Sequence, residues 1–338
     1  MADSHIAVIG AGGWGTSLAW LLADNGRRVR LWCYEPELAD AIRATRENPR
    51  YLPGVPLPPA IHATTSLKEA ADGCGAAVFV VPSHVARTVF SQLQPHLAPA
   101  APLVIATKGI ENDTLMLMSD VILDVDRTRS RDSLAVLSGP SFAKEVCQRL
   151  PTAVTLAATP NLARTLQPLF TTPYFKSFIS DDLVGVQLGG ALKNVIALAA
   201  GGADGLGFGY NTRAALIARG LAESIRLGLS MGAEAKTFHG LSGLGDLILT
   251  CTAELSRNRT VGFQIGQGKP LESILSGMQM VAEGVSTTRA AYELAQRQRV
   301  EMPIVNEIYA VLFKGKSPRQ AVHDLMARGA GAEAPGAG

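Results

Sequence analysis

The chain has 338 residues, enough for two domains of ordinary size. Hydrophobic residues make up 47 %, charged residues only 18 %, and 31 Lys+Arg balance 29 Asp+Glu to a net charge of +2. Such a chain can bury a large core, and its low charge suggests extensive buried faces or subunit contacts. It lacks the overall basic footprint of a nucleic-acid binder but leaves room for a local site for a small anion. No uninterrupted apolar stretch approaches the ~18 residues of a membrane span, and the start, Met1 to His5, has no basic leader region. A soluble, cytoplasmic protein is therefore expected. Cys33, Cys74, Cys147 and Cys251 are scattered and read as free thiols, and the six histidines form no metal-binding spacing.

The first half alternates. A short apolar run, His5 to Ile9, reads as a buried strand, and Trp14 to Asn25 as a helix stopped by Gly26. Val29 to Cys33 is a second strand, and Pro36 opens a helix through about Glu47. Residues 48–59 hold five prolines and are expected to form an ordered loop or flap without regular structure. Further strands are expected at Ala76–Val81, Leu103–Ala106, Leu134–Leu137 and Ala153–Ala157, with helices at about 84–94, 114–125 and 161–170. This alternation predicts an α/β domain over residues 1–180, a doubly wound, mostly parallel sheet covered on both faces. From 181 to 328 the pattern is helical throughout, predicting an all-α domain, and the Ala/Gly-rich residues 329–338 read as a disordered tail.

Gly10-Ala11-Gly12-Gly13-Trp14-Gly15 has G-x-G-x-x-G spacing between a strand and a helix, the context that gives the pattern meaning. Gly10 allows the tight turn, Gly12 lets a pyrophosphate approach the backbone, and Gly15 lets the helix pack on the strand. Coenzyme choice is open. Glu35 stands at the count expected of an acid on the ribose 2′-hydroxyl, while Arg43, Arg46 and Arg50 could face a 2′-phosphate.

In the second half, Lys193 lies on a strip with Gly189, Ala197 and Gly201, while Leu188, Leu192, Val195 and Ile196 share another face. A lysine buried there would have a lowered pKa and could act as a general acid or base; the alternative is a snorkelling lysine at a helix edge. Lys108 follows the 103–106 strand and Gly139 and Ser141 the next, either as ligand groups at strand ends or as ordinary turns. Asp246, isolated in a glycine-rich apolar stretch, needs a cationic partner, for which Lys193 is the candidate. Ser256-Arg257-Asn258-Arg259 precedes a helical run and reads as a phosphate site or a surface charge run.

Together GAGGWGTSLA (10–19), VPSH (81–84), ATKGIE (106–111), SGPSFAKE (138–145), GVQLGGALKNVIALAAG (185–201), GLGDLILTCT (243–252), SRNR (256–259) and VAEGV (281–285) closely resemble bacterial NAD(P)-dependent glycerol-3-phosphate dehydrogenases. The resemblance runs in order from about residue 5 to 320. It implies a reversible hydride transfer between NAD(P)H and dihydroxyacetone phosphate that supplies glycerophospholipid synthesis, without a metal. It implies Lys193 as proton donor and acceptor, with Lys108 and Asp246 assisting, and substrate contacts at Lys108, Gly139, Ser141, Lys193, Asp246, Ser256, Arg257 and Asn258. Cofactor contacts are implied at Gly13, Trp14, Tyr34, Lys108, Ala143, Arg257, Val281 and Glu283, beside Gly10, Gly12 and Gly15 of the fingerprint. Tyr34 replaces the basic residue common in relatives. A homodimer formed through the helical domain is expected. The competing readings are a 3-hydroxyacid or ketopantoate-type dehydrogenase and a non-catalytic NAD(P)-sensing module.

Overall fold

A computed structural model describes residues 4–278 and 282–328. Val281 and the 329–338 tail lie outside the described residues. The first part is built on an eight-stranded sheet. In chain order the strands are β1 (Ile6–Ile9), β2 (Val29–Trp32), β3 (Glu47–Asn48), β4 (Leu52–Pro56), β5 (Ile61–Thr64), β6 (Ala76–Phe79), β7 (Leu103–Ile105), β8 (Leu134–Ser138), β9 (Thr152–Ala157) and β10 (Phe175–Ser180). The sheet order is β10-β9-β8-β7-β6-β1-β2-β5, with every neighbouring pair parallel except β8 and β9. Parallel strands are covered on both faces, which is why β1, β6, β7 and β8 are apolar runs buried along their whole length. The fold is a mostly parallel, doubly wound sheet followed by helices.

The chain reverses its winding at β1, flanked by β2 and β6. In such a sheet the loops after the carboxyl ends of the strands enclose the ligand crevice. Here those loops begin at Gly10 after β1, Val80 after β6, Ala106 after β7 and Gly139 after β8.

Three expectations need correction. Residues 48–59 are not wholly irregular: β3 and β4 pair as an antiparallel ribbon apart from the main sheet. Prolines are tolerated there because a two-stranded ribbon leaves alternate N–H positions unpaired, and Leu52, Val55 and Leu57 anchor it in the core. The helix expected from 114 begins only at Met118, because Leu115 takes a left-handed φ of 60° and Ile110 bridges to Leu117 around a small loop. Finally, the helix Leu183–Gly205 is long and apolar enough by composition to cross a membrane; nearly all of it is instead buried in this protein.

That helix is the axis of the second part. Asp182 caps it, its Oδ1 accepting from the Gly185 N–H at 2.7 Å. Helices Tyr210–Ser230, Arg257–Gly266, Glu283–Gln298 and Pro303–Phe313 surround it, and no strand follows Ser180 among the described residues. The small-residue strip explains the close packing. A Cβ on Gly201 would fall 2.0 Å from the carbonyl oxygen of Arg259, and one on Gly189 would fall 2.5 Å from that of Ser242. Backbone therefore meets backbone on both sides of Lys193.

Candidate active site

The glycine loop has the geometry its residues imply. Gly10 takes a φ of +119°, and a Cβ on Gly15 would lie 1.9 Å from the Gly10 oxygen, so the helix Gly13–Asp24 can rest on β1 only with glycine there. A Cβ on Gly12 would meet nothing within 4 Å, leaving space at the helix N-terminus, where unsatisfied N–H groups suit an anion. Asn48 braces the loop, its Nδ2 donating at 2.8 Å to both the Ala11 oxygen and Thr16 Oγ1. The Trp14 indole packs on the core, its Nε1 buried without an acceptor among the described residues. Ser17 donates to the Ala143 carbonyl at 3.1 Å, tying the fingerprint helix to the short helix Ala143–Cys147 that follows β8. Tyr34 is 77 % exposed and stands edge-on to Trp32. Arg46 donates to the carbonyls of Leu57, Pro58 and Ile61, and Arg43, half exposed, pairs with Asp40 and reaches the Ala63 carbonyl.

The charged centre lies where the helical part meets the carboxyl edge of the sheet. The turn Leu241–Gly245, wound as a π-helix, passes into the helix Asp246–Thr252 and sets Asp246 against the Leu183–Gly205 helix. Lys193 Nζ donates to Asp246 Oδ1 at 2.5 Å, and Lys108 Nζ donates to Oδ2 at 2.7 Å. One carboxylate, 1 % exposed, thus bridges two ammonium groups from different parts of the chain. Lys108 also reaches the Gly139 carbonyl at 3.3 Å, which accepts from Ser141 Oγ at 3.0 Å. A carboxylate this deep would be costly alone, and the two cations and their hydrogen bonds offset its desolvation. Burial drives Lys193 down to about 7, Asp246 pulls it back up, and the neighbouring charge of Lys108 lowers it again.

The SRNR segment divides its work. Ser256, 3 % exposed, caps the helix Arg257–Gly266 by accepting from the Arg259 N–H at 3.3 Å. Arg257 opens that helix and is exposed. Asn258 is buried: its Nδ2 donates to Asn194 Oδ1 at 2.9 Å, and its Oδ1 accepts from the Gly284 N–H at 2.9 Å. It joins the residue next to Lys193 to the start of the helix Glu283–Gln298. Arg259 pairs with Asp204, which also holds Arg213.

Glu283 ties the helical part to the sheet part. Its carboxylate accepts from Ser83 Oγ at 2.7 Å and from the Ser83 N–H at 3.3 Å, in the turn after β6. Burial raises its pKa, while Ser83, His84 and Arg257 counter that rise. Asn48 lies outside every motif the sequence offers, and Ser83 and Asn194 sit within VPSH and the Lys193 helix without a role the sequence could assign, because single polar residues in turns or helices carry no distinguishing spacing. Among the described residues no group of three or more His, Cys, Asp or Glu is placed to hold a metal.

A fingerprint loop at the winding reversal, opposite a buried lysine of lowered pKa, belongs to the nicotinamide-dependent dehydrogenases. Comparison with known proteins narrows this class. Residues 5–163 match the family model for the NAD-dependent glycerol-3-phosphate dehydrogenase N-terminus, and residues 182–323 match that for the C-terminus. The glycerol-3-phosphate dehydrogenase [NAD(P)+] of Geobacter sulfurreducens is 57 % identical over 332 residues, 98 % of this chain and 99 % of the relative. That of Syntrophotalea carbinolica is 55 % identical over 330 residues, 97 % of this chain and 99 % of the relative. The crystal structure of glycerol-3-phosphate dehydrogenase from Coxiella burnetii superposes with a TM-score of 0.92 at 38 % identity, covering 96 % of this chain and 99 % of that one. A PanE/ApbA-family ketopantoate reductase from Ralstonia eutropha, with a TM-score of 0.59 at 14 % identity, shares the fold alone. The chain belongs to the NAD-dependent glycerol-3-phosphate dehydrogenase family.

Proposed function

We propose that this chain reduces dihydroxyacetone phosphate to sn-glycerol 3-phosphate with NAD(P)H, reversibly, and that Lys193 carries the proton. The observation that bears most weight is the Lys193–Asp246–Lys108 chain of charge-assisted hydrogen bonds at the carboxyl edge of the sheet. The open glycine loop and the free helix start beyond it fit a dinucleotide pyrophosphate. A bound dihydronicotinamide supplies the hydride. As C2 of the substrate is reduced, negative charge grows on its oxygen. The Lys193 ammonium stabilises that charge and then gives up a proton, a contribution of about 10²–10⁴ in rate. In the reverse direction the neutral amine of Lys193 takes the hydroxyl proton. With a pKa of about 7, both forms are accessible near neutrality.

Asp246 holds Lys193 in place. Lys108 spends two of its three N–H donors on Asp246 and Gly139, and the third serves a substrate oxygen. Arg257, at an exposed helix start, grips the phosphate with help from the helix dipole. Asn258 and Ser256 act chiefly by fixing that helix start, given their partners within the chain. Glycerol phosphate produced in this way serves as a backbone for glycerophospholipids in the cytoplasm, and the chain works as a homodimer. Initial rates with dihydroxyacetone phosphate, using NADH and NADPH side by side, test the reading. Stoichiometric formation of glycerol 3-phosphate supports it. Ketopantoate turned over as fast, or no coenzyme oxidised at all, would overturn it.

A further inference from the structure

Lys108 brings the second cation to Asp246, and the chain that carries it is clasped from outside the charged centre. Three residues on, Glu111 meets Arg87 of the helix Ala86–Leu93. Arg87 Nε donates to Glu111 Oε1 and Nη2 donates to Oε2, both at 2.9 Å. A planar pair of this kind fixes direction as well as distance. The Glu111 side chain is 12 % exposed, Thr114 Oγ1 donates to the same carboxylate, and Arg87 holds its pKa below the usual range. The loop beyond is closed on itself. The Glu111 N–H donates to the Met116 carbonyl and the Leu115 N–H to that of Glu111, each at 3.0 Å. Arg87 Nη1 also donates to Asp124 Oδ2 at 2.6 Å, but Asp124 lies on the helix Met118–Val125, after that loop.

The clasp is one side of a ring of contacts. Asn112 Nδ2 donates to Ser286 Oγ at 2.8 Å, and Ser286 shares the helix Glu283–Gln298 with Glu283. Glu283 accepts from Ser83 Oγ at 2.7 Å, and the Ser83 turn leads into the helix of Arg87. Gly109 packs against this ring: a Cβ there would fall 2.5 Å from Ser83 Oγ and 3.5 Å from Glu283 Oε2. Ile110 and Leu117 pack in one core with Leu188 and Leu192 of the Lys193 helix. The four residues from Lys108 to Glu111 thus run from Asp246 at one end to Arg87 at the other.

We propose that Arg87 and Glu111 are positioning residues: their paired hydrogen bonds hold the Lys108 ammonium on Asp246, and without them Lys108 withdraws from the reacting centre. The kinetic consequence rests on the dehydrogenase reading above; the placement of Lys108 does not, and the two are measured separately. Reductive methylation of the intact protein, followed by mass spectrometry, reads the placement without any turnover. Lys108 reacts only when it leaves Asp246, so Glu111→Gln should speed its labelling at least about threefold. Asp124→Asn keeps the bidentate pair and should leave both labelling and activity within about twofold of wild type. With dihydroxyacetone phosphate and NADH, Glu111→Gln should lower kcat/KM by about ten- to a hundredfold, the cost of a displacement of about 1 Å at a reacting group. In a Lys108→Ala background the same substitution should cost less than about twofold, because the residue through which it acts is gone. Arg87→Lys keeps the charge but not the fork and should fall between wild type and Glu111→Gln; it carries the same test if Glu111→Gln does not fold. Unchanged Lys108 labelling in the folded variant overturns the proposal. So does an equal loss of rate with and without Lys108, or labelling that Asp124→Asn speeds as much, since a merely structural role would give either. If labelling follows the stated pattern and wild type does not reduce dihydroxyacetone phosphate, the clasp stands and only the reaction is wrong.

Discussion

If Lys193 carries the proton, the two directions of the reaction must show mirror-image pH profiles. Lys193 titrates at about 7, well below an ordinary lysine, because burial and Lys108 outweigh Asp246. Reduction needs the ammonium, so its kcat/KM should be flat below that value and fall about tenfold per pH unit above it. Oxidation needs the amine, so its kcat/KM should rise about tenfold per unit below that value and be flat above it. The two limbs fit together because reduction consumes one proton, so the equilibrium constant itself moves about tenfold per unit across the whole range. Two units above the midpoint, reduction should have lost about a hundredfold from its plateau. Lys193→Met, whose unbranched apolar side chain suits the buried helix, should lower the rate by about 10²–10⁴ and abolish both limbs. Lys193→Ala should do the same while leaving coenzyme binding nearly intact, since the fingerprint lies in the other part of the chain. Initial rates in both directions, over about two units either side of the midpoint, supply the profiles. A break near the ordinary lysine value, the same limbs in the Met variant, or more than about a tenth of the rate remaining would refute the argument.

Arg257→Ala should lower kcat/KM for dihydroxyacetone phosphate by roughly one to two powers of ten, from lost charge-assisted hydrogen bonds of about 1.5–3 kcal/mol, with partial rescue by Arg257→Lys. Unphosphorylated dihydroxyacetone should lose little further, and equal losses on both substrates would place Arg257 on the coenzyme or the fold instead. A homodimer through the helical part should appear in light scattering at micromolar concentration as twice the chain mass; the helix Tyr210–Ser230, with Tyr210 and Leu229 exposed, offers the surface. A monomer mass would refute it.

What the sequence made legible follows the range of the interactions. Strands β1, β6, β7 and β8 stand out because continuous burial demands near-continuous apolar residues, and β2 and β9 stand out less sharply because Arg30 and the threonines of β9 are only partly buried. β5 and β10 do not, being the two edges of the sheet: β5 carries exposed His62, and in β10 Phe178 and Ile179 are both exposed, which breaks the alternation. The ribbon of 47–56 was hidden by its prolines, a residue type that argues against central strands and not against an edge pair. Asp246 announced its need for a cation by its apolar setting. That it serves two cations could not be read, because Lys108 lies 138 residues away in sequence and only the fold brings it near. Asn258 shows the opposite difficulty. Its place in SRNR suggested a ligand contact, and the fold spends its amide on Asn194 and Gly284.

The charge count at the centre carries one more consequence. With both lysines protonated, Lys193, Lys108 and Asp246 together bear one net positive charge, and losing the Lys193 proton neutralises the cluster. In the free enzyme that loss is easier than for an ordinary lysine, since burial and Lys108 oppose the ammonium more than Asp246 favours it. A substrate bearing a phosphate changes the balance, because a nearby anion favours the charged lysine, and more strongly where water is excluded. Binding should therefore raise the Lys193 pKa and recruit the proton that the reduction spends. The profile of kcat reports the bound complex and that of kcat/KM the free enzyme, so the falling limb of kcat for reduction should lie at higher pH than that of kcat/KM. The separation should shrink in Arg257→Ala at saturating substrate if Arg257 sets how the phosphate is held, and it should vanish with unphosphorylated dihydroxyacetone. Coincident limbs for the phosphorylated substrate would mean that the phosphate lies too far from Lys193, or too well screened by Arg257, to act on its proton.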